Sequence, residues 1–362
     1  MGINDLLKEA GLLHYSNKSI FLSFLANKKL TILGISLLCI NIFYAGTPFA
    51  KNQAPRSFDN TKPINQFIRH MVQKHQFNQA ELEELFLKVK LHPSIIEAIS
   101  RPAEGVKAWY EYRPIFVTNT RAKGGVTFWN EHKSILQQAN NNFGVPEEII
   151  TSIIGVETRY GKFTGRYPVI DSLSTLAFAY PPRSKFFKSE LEHFLLMTRE
   201  EKLDPLKLKG SYAGAMGMPQ FISSSFRRYA VDFDKSGQRD LWESTTDVIG
   251  SVANYFKKHR WRSGEPVATK VKVHGERYRL LLSKGIKPNK TQQELLDNGV
   301  ILPNGLSPHL KGRLLSFETK QGPEYWVVWH NFYVISRYNH SALYSMAVFQ
   351  LSEKISSQYK TE

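Results

Sequence analysis

The chain has 362 residues, of which 42% are hydrophobic and 22% charged, and it carries a formal net charge of +16 at pH 7. These values are those of an ordinary globular protein with room for two or three domains, and the single Cys39 excludes an internal disulfide and a thiolate-based metal site. The positive charge suits nucleic acid or a cell envelope rich in carboxylates and phosphates, but since the sequence lacks zinc-ligand pairs and nucleic-acid recognition motifs, we expect no nucleic-acid partner.

Residues 1–50 are predicted to form a signal sequence or a membrane anchor. Lys28 and Lys29 precede an almost unbroken apolar stretch over residues 30–45. This stretch is long for the apolar part of a signal peptide and slightly short for a membrane span. Lipidation of Cys39 is a third alternative, although the two leucines before it fit a lipidation site poorly. In each case we expect the rest of the chain to lie outside the cytoplasm.

Helix and strand patterns divide the remaining sequence into four parts. Apolar residues recur at helical spacing after residue 64, and a composition change near Gly264 is followed by strand-like alternation. Helical character returns from His340. We predict an N-terminal α domain at 51–135, a core at 136–263, a small α+β insert at 264–325 and a C-terminal return to the core or α domain at 326–362.

Glu157 is the strongest catalytic candidate. Residues 146–161 form one predicted helix, with Pro146 at its first position and Gly161 just past its end. The residues three, four and seven positions before Glu157 share its helix face, and all are isoleucines: Ile154, Ile153 and Ile150. The carboxylate therefore lies on an apolar stripe, where burial and the negative end of the helix dipole disfavour its charged form. A carboxylic acid that keeps its proton near neutral pH can act as a general acid.

A structural role for Glu157 remains open from the helix pattern alone. The side chain could form an ion pair with Arg159 or Arg166, and structural ion pairs also perturb carboxyl groups. Other catalytic signatures are missing from the sequence, which has no His-Glu-x-x-His, no Gly-x-Ser-x-Gly and no phosphate-binding loop.

Residues 232–243 have the spacing of an EF-hand calcium loop. Oxygen donors occupy loop positions 1, 3, 5, 9 and 12, namely Asp232, Asp234, Ser236, Asp240 and Glu243. Gly237 stands at position 6, where the loop turns sharply, and Gln238 would give its backbone carbonyl. Asp247 could replace or supplement Glu243 as the closing ligand. We predict one structural Ca²⁺ site, and the competing interpretation is a polar loop that matches by chance.

Four further segments are informative when they are taken together with this loop. They are 155–161 (GVETRYG), 208–225 (LKGSYAGAMGMPQFISSS), 249–256 (IGSVANYF) and 337–341 (RYNHS). In this combination and order the sequence resembles the membrane-bound lytic murein transglycosylase B family of peptidoglycan-cleaving enzymes. The resemblance extends from about residue 63 to residue 351 and leaves out the N-terminal segment.

The resemblance implies a mainly α (α+β) protein with a goose-lysozyme-like helical core, an α domain and a small inserted β domain. It implies cleavage of the β-1,4 bond between N-acetylmuramic acid and N-acetylglucosamine in peptidoglycan glycan strands, which leaves a 1,6-anhydromuramic end. Because water is not added, such an enzyme is a lyase. A periplasmic location, possible membrane association through the N-terminus and no organic cofactor are also implied. The alternatives are a hydrolytic muramidase and a non-catalytic, calcium-binding peptidoglycan scaffold.

The resemblance assigns the chemistry to Glu157 alone. No second carboxylate is recognisable as its partner, although ordinary glycosidases use two. If the N-acetyl group of the substrate assists, Glu157 would protonate the leaving oxygen and then accept the proton of the sugar 6-hydroxyl. Ser211 and Gln220 would bind substrate beside it. The rest of the saccharide groove would be formed by Tyr112, Tyr255, Tyr338 and Asn339, with Tyr344 as a weaker candidate, while Met218 and Pro219 depart from the family pattern.

Overall fold

The computed structural model describes residues 54–100, 107–282 and 285–361. The predicted signal sequence or anchor, including Cys39, lies outside these residues. Within the described ranges, no helix has both the length and the apolar composition needed to cross a membrane.

The described part of the chain is mainly helical and has two small antiparallel sheets. The helices are α1 (Lys62–His75), α2 (Gln79–Lys88), α3 (Pro93–Ser100), α4 (Trp109–Phe116), α5 (Asn119–Glu131), α6 (Lys133–Phe143), α7 (Glu147–Thr158), α8 (Val169–Ala179), α9 (Ser184–Glu200), α10 (Ser223–Tyr229), α11 (Thr245–Lys258), α12 (Gln292–Asp297), α13 (His330–Tyr338) and α14 (Ala342–Tyr359). The strands are β1 (Tyr167–Pro168), β2 (Lys209–Gly210), β3 (Ala268–Val273), β4 (Val300–Ile301), β5 (Arg313–Thr319) and β6 (Gly322–Val328). The predicted mainly α (α+β) class is confirmed.

Helix α7 lies inside the helical body. Every residue from Ile149 to Val156 is buried, because a helix that is apolar on all sides has to be covered on all sides. Helix α14 packs along α7, and α5, α6 and α11 cover its remaining faces. Contacts from several directions therefore fix the position of the residues at the C-terminal end of α7.

Small residues allow α5 and α7 to approach each other closely around the ring of Tyr160. A Cβ atom on Gly155 would lie 2.5 Å from the Tyr160 hydroxyl, and a Cβ atom on Gly125 would lie 2.7 Å from it. The same hydroxyl donates a hydrogen bond of 2.7 Å to the backbone carbonyl of Arg121. Tyr160 thus fastens the segment that follows α7 to α5.

The larger sheet forms the small insert that the sequence pattern predicts. Its strand order is β4-β3-β6-β5, with every neighbouring pair antiparallel. The inner face has its own buried apolar cluster, which includes Leu295, Leu314, Val327 and Trp329. The indole N–H of Trp329 donates to the Thr269 hydroxyl at 2.9 Å. The sheet extends from β3 to the end of β6, and the four domain limits given above stay predictions.

Candidate active site

Helix α7 ends in a tight turn that differs from the sequence prediction. Pro146 has extended ψ (φ −60°, ψ 144°) and precedes the first helical residue, Glu147, instead of occupying that position itself. The helix ends at Thr158, and the next three residues are left-handed, with φ of 51° at Arg159, 61° at Tyr160 and 83° at Gly161. The chain therefore turns away from the helix axis immediately after Glu157.

Thr158 connects this turn to a second segment of the site. Its hydroxyl donates to the backbone carbonyl of Met218 at 2.9 Å and accepts the N–H of Gly161 at 3.0 Å. The side chain is 1% exposed, so both hydrogen bonds lie within the protein. Since Met218 belongs to the loop that carries Gln220, these bonds hold that loop next to the end of α7.

Glu157 is half-buried, and the isoleucines that share its helix face are fully buried. Ile150, Ile153 and Ile154 are each 0% exposed. The Tyr344 hydroxyl, from the first turn of α14, donates to Glu157 Oε1 at 2.6 Å. One carboxyl oxygen of Glu157 is therefore held by Tyr344, which the family resemblance indicates only weakly as a groove residue.

Arg159 and Arg166, the possible ion-pair partners of Glu157, both contact aromatic rings. The guanidinium of Arg159 lies 5.3 Å from the ring centre of Phe163, and that of Arg166 lies 5.4 Å from the ring centre of Tyr167. Cation–π contacts of this kind are favourable at exposed positions. These contacts give each arginine a partner other than Glu157.

Tyr344 and Tyr338 are phenols that stay protonated. Burial, and then the negative charge of Glu157, raise the pKa of both hydroxyls well above the ordinary value. The Tyr338 hydroxyl donates to the backbone carbonyl of Pro219 at 2.6 Å. Pro219 departs from the family pattern, but this side-chain difference leaves in place the backbone carbonyl that Tyr338 contacts.

The other predicted aromatic residues are packed more tightly than groove residues usually are. Tyr255 is 6% exposed, its ring centre lies 4.8 Å from that of Tyr338, and its hydroxyl donates to the carbonyl of Arg337 at 2.5 Å. Burial raises the pKa of Tyr255 far above the ordinary value. Tyr112 is 1% exposed and its ring lies 5.0 Å from that of Phe116. Tyr255 packs against Tyr338 and Tyr112 lies near Tyr344, and the contact of both residues with substrate stays a prediction.

Ser211 organises the loop that follows β2. Its hydroxyl oxygen accepts the backbone N–H groups of Ala213 at 3.3 Å and Ala215 at 3.0 Å. The side chain is 1% exposed. The structure thus gives Ser211 a clear part in shaping the turn, and its predicted contact with substrate remains to be tested.

Gln220 carries an unsatisfied acceptor at the end of the same loop. Its amide nitrogen donates to the carbonyls of Thr164 and Gly217, each at 3.0 Å. Its Oε1 atom is buried and has no hydrogen-bond partner among the described residues. A buried acceptor without a donor costs about 1–3 kcal/mol, so a ligand that supplies a donor would recover this energy.

Asn339 lies at the end of α13, directly after Tyr338. It is 2% exposed and has extended backbone angles (φ −144°, ψ 123°). The chain therefore changes direction at Asn339 before Ser341 caps α14, where the Ser341 hydroxyl accepts the N–H of Tyr344 at 3.3 Å. This short connection brings Tyr338 and Tyr344 to the same side of the helical body as Glu157.

The EF-hand-like loop brings together three of its predicted acidic ligands. Asp232, Asp234 and Asp247 each offer one carboxylate oxygen, and the three oxygens lie within 4.8 Å of one another. Asp247 belongs to the first turn of α11 and is 0% exposed. Burial raises its pKa, while N–H groups of Asp240, Phe233 and Asp234 bind its two oxygens and oppose that shift.

The remaining predicted donors of the loop are placed differently. The Ser236 hydroxyl donates to the Gln238 carbonyl at 3.2 Å and contacts Asp232 Oδ1 at 3.4 Å. Asp240 Oδ1 instead accepts the N–H groups of Trp242 and Glu243, at 2.8 and 3.0 Å. Neither the Asp240 nor the Glu243 carboxylate belongs to the cluster of three, and the Glu243 side chain is exposed.

Comparison with known protein families identifies the family of this chain. Residues 59–353 match the model of the transglycosylase SLT domain. The chain belongs to this family. Membrane-bound lytic murein transglycosylase B of Escherichia coli K12 is 43% identical over 307 residues, which cover 82% of this chain and 84% of the relative.

Two solved structures of transglycosylases extend the comparison to the fold. Soluble lytic transglycosylase SltB1 from Pseudomonas aeruginosa is 49% identical, with a TM-score of 0.78 over 82% of this chain and 98% of SltB1. Escherichia coli lytic transglycosylase Slt35 in complex with calcium is 41% identical, with a TM-score of 0.78 over 85% of this chain and 97% of Slt35.

The family assignment fixes the activity of the protein. It is a peptidoglycan lytic transglycosylase, which cleaves murein glycan strands as a lyase. The predictions of family, fold class and activity are therefore confirmed, and the muramidase and scaffold alternatives are not favoured.

Proposed function

We propose that Glu157 is the single carboxyl group that performs both proton transfers of the transglycosylase reaction. The observation that carries this proposal is the 2.6 Å hydrogen bond from Tyr344 to Glu157 Oε1. This bond fixes the orientation of the carboxyl group that would exchange protons with the substrate. The half-buried position beside three buried isoleucines favours the protonated form that a general acid needs.

The proposed reaction needs no second carboxylate. Protonated Glu157 gives its proton to the glycosidic oxygen, and the bond between that oxygen and C1 of N-acetylmuramic acid breaks. The carbonyl oxygen of the substrate's own N-acetyl group bonds to C1 from the other side. The Glu157 carboxylate then accepts the proton of the 6-hydroxyl as O6 bonds to C1 and the acetyl oxygen leaves. Glu157 ends protonated, and the product carries a 1,6-anhydro ring.

Tyr344 and Tyr338 would serve this cycle as permanent hydrogen-bond donors. Their raised pKa values keep both phenols neutral throughout the working pH range. Tyr344 accordingly donates to Glu157 Oε1 when the carboxyl group is charged and keeps it oriented between the two transfers. A residue of this kind raises the turnover rate by positioning the acid and does not itself exchange protons.

We propose that Gln220 and Ser211 form the polar part of the saccharide site. The buried Oε1 of Gln220 faces no donor among the described residues, and a sugar hydroxyl or acetamido N–H would satisfy it. Tyr112, Tyr255, Tyr338 and Asn339 would form the remaining wall. Aromatic rings pack against the C–H surfaces of sugars, and amide groups form hydrogen bonds with sugar hydroxyls.

We propose that the 232–247 segment binds one Ca²⁺ ion with a structural role. The donor set is hard oxygen, the three carboxylates converge within 4.8 Å, and Gly237 has the positive φ of 93° that the sharp turn of such a loop requires. Asp232, Asp234, Ser236, the Gln238 carbonyl and Asp247 would hold the ion, with Asp247 in the closing role predicted for Glu243. The ion would neutralise the repulsion among these carboxylates between α10 and α11.

We also propose that the enzyme works in the periplasm after export through residues 1–50. Murein lies outside the cytoplasmic membrane, and the positive charge of the chain suits the anionic cell envelope. Fractionation of cells that produce the full chain tests this proposal. Recovery in the periplasm or with the membranes supports it, and recovery in the cytoplasm rejects it.

Product analysis tests the reaction course. Purified sacculi are digested with the protein, and the released muropeptides are separated and weighed by mass spectrometry. We expect 1,6-anhydromuramic ends, which are lighter than reducing ends by one water molecule. Reducing muramic ends would reject the acid-then-base course of Glu157 and would indicate hydrolysis.

A further inference from the structure

A second cluster of ligand-type side chains lies between α1 and α9. His70 and His75 come from the C-terminal half of α1, and Glu192 comes from the middle of α9. One ligand atom from each residue lies within 4.8 Å of the other two. Neither helix carries any of the residues assigned to the reaction, the saccharide site or the calcium loop.

The two imidazole groups point to opposite oxygens of one carboxylate. His70 Nε2 lies 3.0 Å from Glu192 Oε2, and His75 Nε2 lies 2.8 Å from Glu192 Oε1. Helix α1 ends at His75, and the next residue, Gln76, is left-handed with φ 57°. Arg199 from α9 donates to the His75 carbonyl at 2.8 Å and fixes that end of the helix.

A set of two histidines and one glutamate is a donor set that zinc ions use in proteins. Such a site leaves one position of the tetrahedron for water or another ligand. The surface beside the cluster has an opening, since both His70 and Glu192 line a pocket together with Gln66, Ser189, Lys185 and Lys188. A metal ion could therefore enter and exchange without local unfolding.

Lys74 is the principal competitor for the carboxylate. Its ammonium group donates to Glu192 Oε1 at 2.9 Å, and its side chain is 55% exposed. Because it is well exposed, Lys74 can return to water without leaving a buried, unpaired charge.

We propose that His70, His75 and Glu192 bind one divalent transition-metal ion, with zinc as the best match, and that the ion clamps the end of α1 to α9. The clamp is independent of the calcium loop, whose ligands are all oxygens. Soft or borderline ions prefer imidazole, whereas calcium prefers carboxylates and carbonyls. The two sites therefore select different metals.

Calorimetric titration with Zn²⁺ alone, in buffer that holds saturating Ca²⁺, tests this proposal. We expect one zinc ion per chain, and a visible absorption spectrum of tetrahedral cobalt when Co²⁺ replaces it. The His70→Asn and His75→Asn variants should each weaken zinc binding by at least about tenfold. His274→Asn and His309→Asn are the matched controls, since both residues are exposed and lie on the insert, and they should bind as the unaltered protein does.

The Lys74→Ala variant distinguishes a metal site from an ordinary cluster of ion pairs. If the cluster binds metal, removal of the competing ammonium group should strengthen zinc binding several-fold, and zinc should then raise the melting temperature more than in the unaltered protein. Zinc affinity that is unchanged by Lys74→Ala and equal in the His70, His75, His274 and His309 variants would overturn the proposal. Turnover of sacculi is not part of this test, so its outcome is separate from that of the proposed reaction.

Discussion

The hydroxyl of Tyr344 donates a hydrogen bond of 2.6 Å to Oε1 of Glu157, across a sequence separation of 187 residues. This bond joins the first turn of α14 to the last turn of α7, and the two helices pack along each other. The proposed proton donor is therefore oriented by the tertiary packing of two buried helices. A small shift between α7 and α14 should therefore lower the reaction rate while the protein stays folded.

Tyr344→Phe should reduce turnover while the protein stays folded. The substitution removes the donor to Glu157 and keeps the buried ring, so the expected loss of stability is about 1 kcal/mol. We expect turnover to fall by roughly 10- to 100-fold, because the carboxyl group loses its fixed orientation. The decrease in turbidity of a sacculus suspension measures the rate. Tyr110→Phe, at a 39% exposed position, is the matched control and should retain full activity.

Gln220→Met should affect both substrate binding and the loop. The amide nitrogen holds two carbonyls, so its removal should cost about 1–3 kcal/mol of stability, measured by denaturant unfolding. Loss of the Oε1 acceptor should raise KM for soluble glycan strands more than it lowers kcat. A KM equal to that of the unaltered protein would show that Gln220 supports the loop and does not contact substrate.

Removal of calcium should destabilise the enzyme, because the carboxylates of Asp232, Asp234 and Asp247 then repel one another. We expect a chelator to lower the melting temperature and calcium to restore it. The Asp247→Asn variant should lose this response, whereas Glu243→Gln should keep it. The opposite pattern, with calcium stabilisation lost only in Glu243→Gln, would assign the closing ligand to Glu243.

Gly217→Ala should be strongly destabilising. Gly217 has φ 66°, and an added Cβ atom would lie 2.2 Å from the carbonyl oxygen of Leu241. The backbone of the Gln220 loop would have to move, which we expect to cost more than about 2 kcal/mol. Gly264→Ala is the matched control, since φ there is also positive at 77° but nothing lies within 4 Å of the added atom. Equal losses of stability would show that backbone strain alone, and not the contact, sets the cost.

The local features of the site could be predicted because they depend on short-range periodicity. The three isoleucines before Glu157 define a buried face at helical spacing, and the structure buries all of them. The predicted start of α7 at Pro146 is one residue too early, since Pro146 has an extended ψ that the sequence alone does not specify. Boundaries of this kind depend on backbone angles that several residue types permit.

Contacts between distant segments could not be predicted in the same way. The pattern of α14 does not show which residue of α7 lies opposite Tyr344, so the sequence does not predict its hydrogen bond to Glu157. Likewise, the spacing of an EF-hand favours Glu243 at position 12, but the first turn of α11 brings Asp247 to Asp232 and Asp234 instead. In both cases the packing of helices, and not the local sequence, selects the partner.

The sharpest test of the central claim compares Glu157→Gln with the unaltered enzyme on purified sacculi, with products identified by mass spectrometry. Glutamine keeps the size of the side chain and can still accept a hydrogen bond from Tyr344, so the melting temperature should change little. We expect 1,6-anhydromuramic products to fall to background, because glutamine cannot give or take the required proton. Anhydromuramic products formed by a folded Glu157→Gln variant at a rate near that of the unaltered enzyme would contradict this claim.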